Sequence, residues 1–213
     1  MNEEIILPSI YDLKPRFQAL LRPIVNALAR AGVTANQVTI TAVILSFIGG
    51  ALIAWQPYAT WPLLVLPLVL FLRMGLNAID GMLAREHALQ SKLGAVLNEL
   101  GDVVADAALY LPLALLPRVC ASLIMLLVLL ATISEMMGVV AVQIGATRQY
   151  QGPMGKSDRA FWLGAIALAL GIGMPFGGWV NWLLVVMLLL LVITIFNRAK
   201  GALKETAKAL HAD

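Results

Sequence analysis

Seven acidic, lysine and arginine side chains crowd into one short stretch of an otherwise apolar chain. Asp80, Arg85, Glu86, Lys92, Glu99, Asp102 and Asp106 all fall within NAIDGMLAREHALQSKLGAVLNELGDVVAD, residues 77–106. Charge at or inside a membrane is expensive and by default marks a functional site. Arg73, Asn77 and Asp80 are spaced by four and three, so on a helix they share a face. Asn98, Asp102 and Asp106 are spaced i, i+4, i+8, and Glu99 borders the same face. If the two helices pack side by side, Asn77, Asp80, Asn98 and Asp102 converge at one level near a membrane face. Oxygen donors at that spacing suit a hard divalent cation such as Mg²⁺. Capping and pairing alone, Asp80 with Arg85 or Arg73 with Asp102, would not account for so many charges in so apolar a chain.

The elements that must position these residues are membrane helices. The chain is 61% hydrophobic and 13% charged, with a mean hydropathy of +0.87. Its charged share is about half that of a soluble domain. Crossing a hydrocarbon core takes about 20 helical residues, and six apolar runs approach that length, near 38–55, 61–80, 93–116, 119–145, 160–176 and 179–198. The expected fold is therefore an all-α integral membrane protein with six transmembrane helices, organised as a single membrane domain over 1–213. Residues 10–31 read as an amphipathic helix with Asp12 as N-cap and a kink at Pro23. Lys14, Arg16, Arg22 and Arg30 lie between its apolar positions, which suits a helix on the membrane surface, packed on the spans, or both. Gly49, Gly50, Gly171 and Gly173 are candidates for close helix contact. Trp55, Tyr58, Trp61 and Trp179 fall near span ends, as belt aromatics do. Early charges, including Glu3 and Glu4, argue against a cleaved signal peptide. Cys120 reads as a small buried hydrophobe.

Basic residues set the orientation. Of 15 Lys and Arg, thirteen share one side if the chain crosses six times, Arg73 leans the same way, and Arg118 alone falls opposite. The positive-inside rule then places both termini and residues 77–106 at the cytoplasm. A net charge of +3 gives no reason to expect nucleic acid.

The order Asp80-Gly81, Ala84-Arg85, Gly94, Asn98, Asp102 resembles the signature of the CDP-alcohol phosphotransferase family, D-x2-D-G-x2-A-R-x8-G-x3-D-x3-D, with Asn77 and Asn98 in place of two aspartates. Val33-Thr34-Ala35-Asn36-Gln37-Val38-Thr39 is similar to the family's stretch before span 1, and Gly155-Lys156-Ser157-Asp158-Arg159 to its glycine-lysine loop before span 5. The resemblance implies a homodimer of six-helix protomers in a bacterial inner membrane. It implies transfer of a phosphatidyl group from a CDP-alcohol, commonly CDP-diacylglycerol in the family, to a small alcohol with release of CMP, in phospholipid biosynthesis. Mg²⁺ or Mn²⁺ is the implied cofactor, held by Asn77, Asp80, Asn98 and Asp102, with Asp102 also the general base. Asp80, Gly81, Ala84, Arg85, Gly94, Asn36 and Thr39 would bind the nucleotide. Lys156 and Arg159 would bind a phosphate of acceptor or lipid. Glu99, Asp106 and Glu135 are accessory candidates, Glu135 with a partner helix or Arg73 opposite it. His87 reads as a solvated loop residue and His211 as uninformative. A divergent or inactive paralogue, which the two asparagines favour, stays open. So does a transporter with a polar cavity, though its charges belong mid-span rather than at a face. A prenyl transferase, suggested by Asn77-Ala78-Ile79-Asp80, would need more spans and a second aspartate-rich motif.

Overall fold

The computed structural model describes the backbone of residues 10–210 and the side chains of residues 17–208. Glu3, Glu4 and His211, and the side chains of Asp12, Lys14 and Arg16, lie outside these. Every regular element among the described residues is helical: α1 (Ile10–Arg30), α2 (Ala35–Trp55), α3 (Trp61–Glu86), α4 (Lys92–Tyr110) with a 3-10 turn (Leu111–Leu115), α5 (Ala121–Gln143), α6 (Lys156–Gly171) and α7 (Gly178–Leu210).

Four of these, α2, α3, α5 and α7, are long and apolar enough to cross a membrane. The other two expected spans differ for physical reasons. Helix α4 carries Lys92, Glu99, Asp102 and Asp106 and passes into the 3-10 turn where Pro112 has no N–H to donate. At 16 residues, α6 spans about 24 Å.

Several boundaries move. α1 begins before Asp12 and stays helical through Pro23. α3 runs past Asp80 and Gly81 to Glu86, so Gly81 does not release the chain from the helix. Lys156 and Arg159 lie in the first turn of α6 rather than in a loop, and the Asp158 carboxylate caps that turn by accepting from the Gly155 N–H at 2.9 Å.

The residues fall into two compact units. One comprises the chain up to residue 42 together with 72–101. In it, Val25 on α1 packs with Ala35 and Val38 on α2 and Ile79, Met82 and Leu83 on α3. Leu20, 76% exposed, and Ile24 remain outside this core. The other unit comprises 43–71 and 102 onward. Its core joins Leu63, Leu66, Leu109, Leu127, Leu163 and Leu191, and α5 packs along α7. On α7, Trp182, Val186, Leu189, Ile193 and Phe196 face outward at spacings of four and three, while Leu184, Leu191 and Thr194 are buried. An outward apolar stripe of that kind suits hydrocarbon.

Close helix contact holds at three of the four glycines. A Cβ on Gly49 would press Leu109 and Val69, one on Gly50 would collide with the Ala108 carbonyl, and one on Gly171 would meet Leu64 at 2.7 Å. Gly173 has nothing within 4 Å and a φ of +100°, so it serves the turn after α6. Cys120 is exposed rather than buried, because it precedes α5, where its N–H donates to the Asn181 side chain at 2.8 Å.

Candidate active site

In the first unit, the stretch before span 1 meets the Asp80 and Gly94 parts of the signature. α2 starts with a reciprocal cap: the Thr34 N–H donates to Gln37 Oε1 at 2.8 Å, and the Gln37 N–H donates to Thr34 Oγ1 at 3.3 Å. The T-x-x-Q spacing of Thr34 and Gln37 is that of a capping box, a local pattern that marks the start of α2 in the sequence itself. The cap fixes the first turns of α2, which carry Asn36 and Thr39. Thr39 Oγ1 donates to Asp80 Oδ2 at 2.7 Å across the helices, and both residues are buried, Asp80 to 4% exposure. A side chain on Gly94 would lie 2.7 Å from Asn36 Oδ1; the bare glycine therefore makes room for the Asn36 amide beside the start of α4. Ser91 Oγ caps that start by accepting from the Gly94 N–H at 2.9 Å. Gly81 does the same service for Arg85, whose guanidinium nitrogens lie 3.1–3.2 Å from where a Cβ would stand. Arg85 is exposed, and Ala84, Asn77, Asn98 and Glu99 are half-buried. His87 is half-buried too, rather than fully solvated.

Helix α1 closes against the same unit. Arg22 makes a two-pronged contact with Glu86, Nη2 to Oε1 at 2.9 Å and Nε to Oε2 at 3.2 Å.

The second unit holds the other candidates. Asp102, half-buried, is ion-paired with Lys156. One turn along α4, Asp106 is buried and its Oδ2 accepts from Arg159 Nη2 at 2.9 Å. Arg159 is fully buried and also donates to Glu135 Oε1 at 3.1 Å and to the Met154 carbonyl at 3.4 Å. Glu135 receives two more cations, Arg148 Nη2 at 3.4 Å and Arg198 Nη1 at 3.5 Å. Arg198 further donates to the Ser134 carbonyl at 2.5 Å. The partners of Glu135 are therefore Arg148, Arg159 and Arg198. The last two are buried.

Arg148 sits on the 144–155 connection, which α7 holds down. Glu205 accepts from the Thr147 N–H and hydroxyl, each at 2.9 Å, and from the Gln149 amide at 2.8 Å. Burial pulls the Arg148 pKa below its ordinary value, and Arg198 adds to this by repulsion, while the Tyr150 ring, 5.0 Å away, opposes it.

The donor set fits a hard divalent cation in type. Asn77, Asp80, Asn98 and Asp102 offer carboxylate and amide oxygens and no soft ligand, and two carboxylates balance one such ion. Among the described residues, no three His, Cys, Asp or Glu side chains are grouped to hold a metal.

The sequence profile described as CDP-alcohol phosphatidyltransferase matches residues 32–196. The chain belongs to the CDP-alcohol phosphatidyltransferase family. Its members are transferases, and this membrane-helical chain is one of them. It is 45% identical over 202 residues to the inner membrane protein YnbA of Escherichia coli K12, covering 94% of this chain and 99% of that protein. In fold it is similar to phosphatidylinositol phosphate synthase (PgsA1) of Mycobacterium tuberculosis. The crystal structure with manganese and citrate gives a TM-score of 0.70 at 20% identity, covering 84% of this chain and 87% of that one. The structure with CDP-DAG bound gives 0.66 at 22% identity, covering 86% and 92%.

Proposed function

We propose that this CDP-alcohol phosphatidyltransferase moves the phosphatidyl group of CDP-diacylglycerol onto a small alcohol and releases CMP, in phospholipid biosynthesis. The observation that carries this function is the Thr39–Asp80 bond together with Asn36 seated against Gly94. These contacts bring the stretch before span 1 against the Asp80 and Gly94 parts of the signature within one unit, as a nucleotide site assembled from both requires. The bound CDP-DAG of the similarly folded synthase supports the donor. An apolar groove of about 440 Å³, lined by Gly50, Ala54, Ala108 and Leu111 among others, suits the acyl chains of such a donor.

In this mechanism Gly81 and Gly94 leave room for the Arg85 guanidinium and the Asn36 amide, so that Asn36 meets the nucleotide and Arg85 meets phosphate. Asp102 takes the proton of the acceptor hydroxyl as its oxygen attacks the β-phosphorus. The phosphorus–oxygen bond to CMP breaks, and CMP leaves with the electron pair. Asn77, Asp80, Asn98 and Asp102 are the ligands assigned to Mg²⁺ or Mn²⁺, which when bound neutralises charge on the diphosphate. Purified protein with CDP-diacylglycerol and a panel of alcohols should release CMP, and an excess of chelator should stop it. Full turnover in chelator would remove the metal from the mechanism. Binding of CDP-diacylglycerol with no CMP from any alcohol would instead mark a paralogue without turnover, the reading that Asn77 and Asn98 favour.

The same proposal places the chain in a bacterial inner membrane as one six-span domain and a homodimer. The spans are the four long helices plus α4 with its 3-10 turn and α6, and α1 lies at the interface through Leu20 and Ile24. The inner-membrane relative supports this location. The native Cys120, exposed beside Arg118, should react with an impermeant thiol reagent from outside intact cells. In a Cys120→Ser background, Ala88→Cys and Lys204→Cys should react only once the cytoplasmic face is opened. Labelling of either from outside would overturn the orientation.

A further inference from the structure

Lys156 and Arg159 are the cations that the sequence offers to an acceptor phosphate, and both are paired to carboxylates of the chain itself. Lys156 is on Asp102, and Arg159 is on Asp106 and Glu135. Two further guanidiniums close on the same Glu135, Arg148 on Oε2 and Arg198 on Oε1, so both carboxylate oxygens are engaged. Arg159 and Arg198 are buried and Arg148 is partly so, and guanidiniums gathered in this way need an anion among them, because unpaired buried charge is costly. Glu135, from the middle of α5, is that anion.

The cluster also lies where an acceptor would be sensed. Asp106 and Arg159 sit one helical turn from Asp102 and Lys156 on α4 and α6 respectively, about 5–6 Å along each axis. In a small phosphorylated alcohol the phosphate is only a few bonds from a reacting hydroxyl. With that hydroxyl at Asp102, its phosphate would reach the depth of the cluster.

We propose that Glu135 is a specificity-determining residue: it occupies the anion position of the cation cluster, so the acceptor is an alcohol that carries no phosphate. The inference rests on the phosphatidyl transfer proposed above. An incoming phosphate dianion would have to displace Glu135 from three guanidiniums or stand beside its like charge. An uncharged polyol needs only to place a hydroxyl at Asp102. Discrimination of this kind comes from building repulsion against the wrong partner as well as attraction for the right one.

Glycerol and glycerol 3-phosphate differ only in the phosphate and serve as probes. CMP release from CDP-diacylglycerol is measured with each, using the full-length protein in detergent, wild type and Glu135→Gln. Binding of glycerol 3-phosphate is followed separately by calorimetry without donor, so that it can be read even if no CMP is released. Wild type should favour glycerol in kcat/KM by about tenfold or more and show no saturable binding of glycerol 3-phosphate, while Glu135→Gln should move the ratio toward the phosphate ester by at least about tenfold and gain that binding. Wild type that binds glycerol 3-phosphate, or prefers it to glycerol, overturns the proposal whether or not the variant folds. A folded variant that gains neither activity nor affinity for the phosphate ester overturns it as well. Absence of CMP from both probes with the binding contrast intact would count against these acceptors or the transfer reaction, and for the assignment of Glu135.

Discussion

Asp102→Asn should lower turnover by about 10²–10⁴, the usual share of general-base catalysis, with more lost if the carboxylate also holds the metal. The amide keeps the shape of the side chain and can still accept from Lys156, so the fold should survive, but it has no basicity with which to take the acceptor's proton. Asp106, one turn along α4, is the rival for this role, since Asn98 has removed a carboxylate from the pattern and a shift by one turn would restore the pair. The structure separates the two residues. Asp102 is half-buried and paired with the flexible Lys156. Asp106 is buried and fixed by the fully buried Arg159 guanidinium. A carboxylate tied into a buried ion pair is poorly placed to receive a proton from a small alcohol. Asp106→Asn should therefore lower the melting temperature in detergent and leave the CMP release of the folded fraction within about tenfold of wild type. Asn98→Asp should keep activity and tighten Mg²⁺ binding by adding a charged oxygen ligand. Wild-type turnover in Asp102→Asn beside a dead Asp106→Asn would move the site by one turn.

How much of this was legible in the sequence depends on the range of the interaction. Helix existence follows from runs of apolar residues: each of the six runs falls on a helix, four of them long and apolar enough to cross a membrane. Gly81 misled because a glycine next to a charge reads as an exit from the helix, whereas here the missing Cβ admits the Arg85 guanidinium within the helix. Pro112 shortens α4 by a backbone effect that hydropathy does not register. The T-x-x-Q cap of α2 was local and readable. The charge network was not, because its partners are far apart in sequence: Asp102 from Lys156 by 54 residues, Asp106 from Arg159 by 53, Glu135 from Arg159 by 24. The sequence offers Glu135 a partner helix or Arg73. Only the packing of α4, α5, α6 and α7 shows that three cations meet it, and that the basic residues of the α6 start are already paired with acids.

That network carries the largest expected loss of stability. Arg159 has no exposed surface, and its Nη2 is shared between Asp106 at 2.9 Å and Glu135 at 3.1 Å. Arg159→Met keeps much of the volume and removes the charge. Glu135 still has Arg148 and Arg198, but Asp106 loses the buried guanidinium that it accepts from. Removing one member of a buried pair typically costs about 3–5 kcal/mol, chiefly because the other charge stays buried. For a chain of this length that corresponds to a fall of roughly 6–20 °C in melting temperature. The companion change decides between lost pairing and lost packing. Adding Asp106→Leu to Arg159→Met removes the stranded carboxylate, and buried ion pairs replaced whole by apolar residues are often neutral or better. The double variant should therefore recover at least half of the melting temperature lost in the single one. If the double variant melts lower than Arg159→Met, Asp106 is held chiefly by other contacts and the pair does not organise this end of α6. If Arg159→Met melts like wild type, the guanidinium at the centre of the cluster is dispensable, and the three-cation environment assigned to Glu135 falls with it.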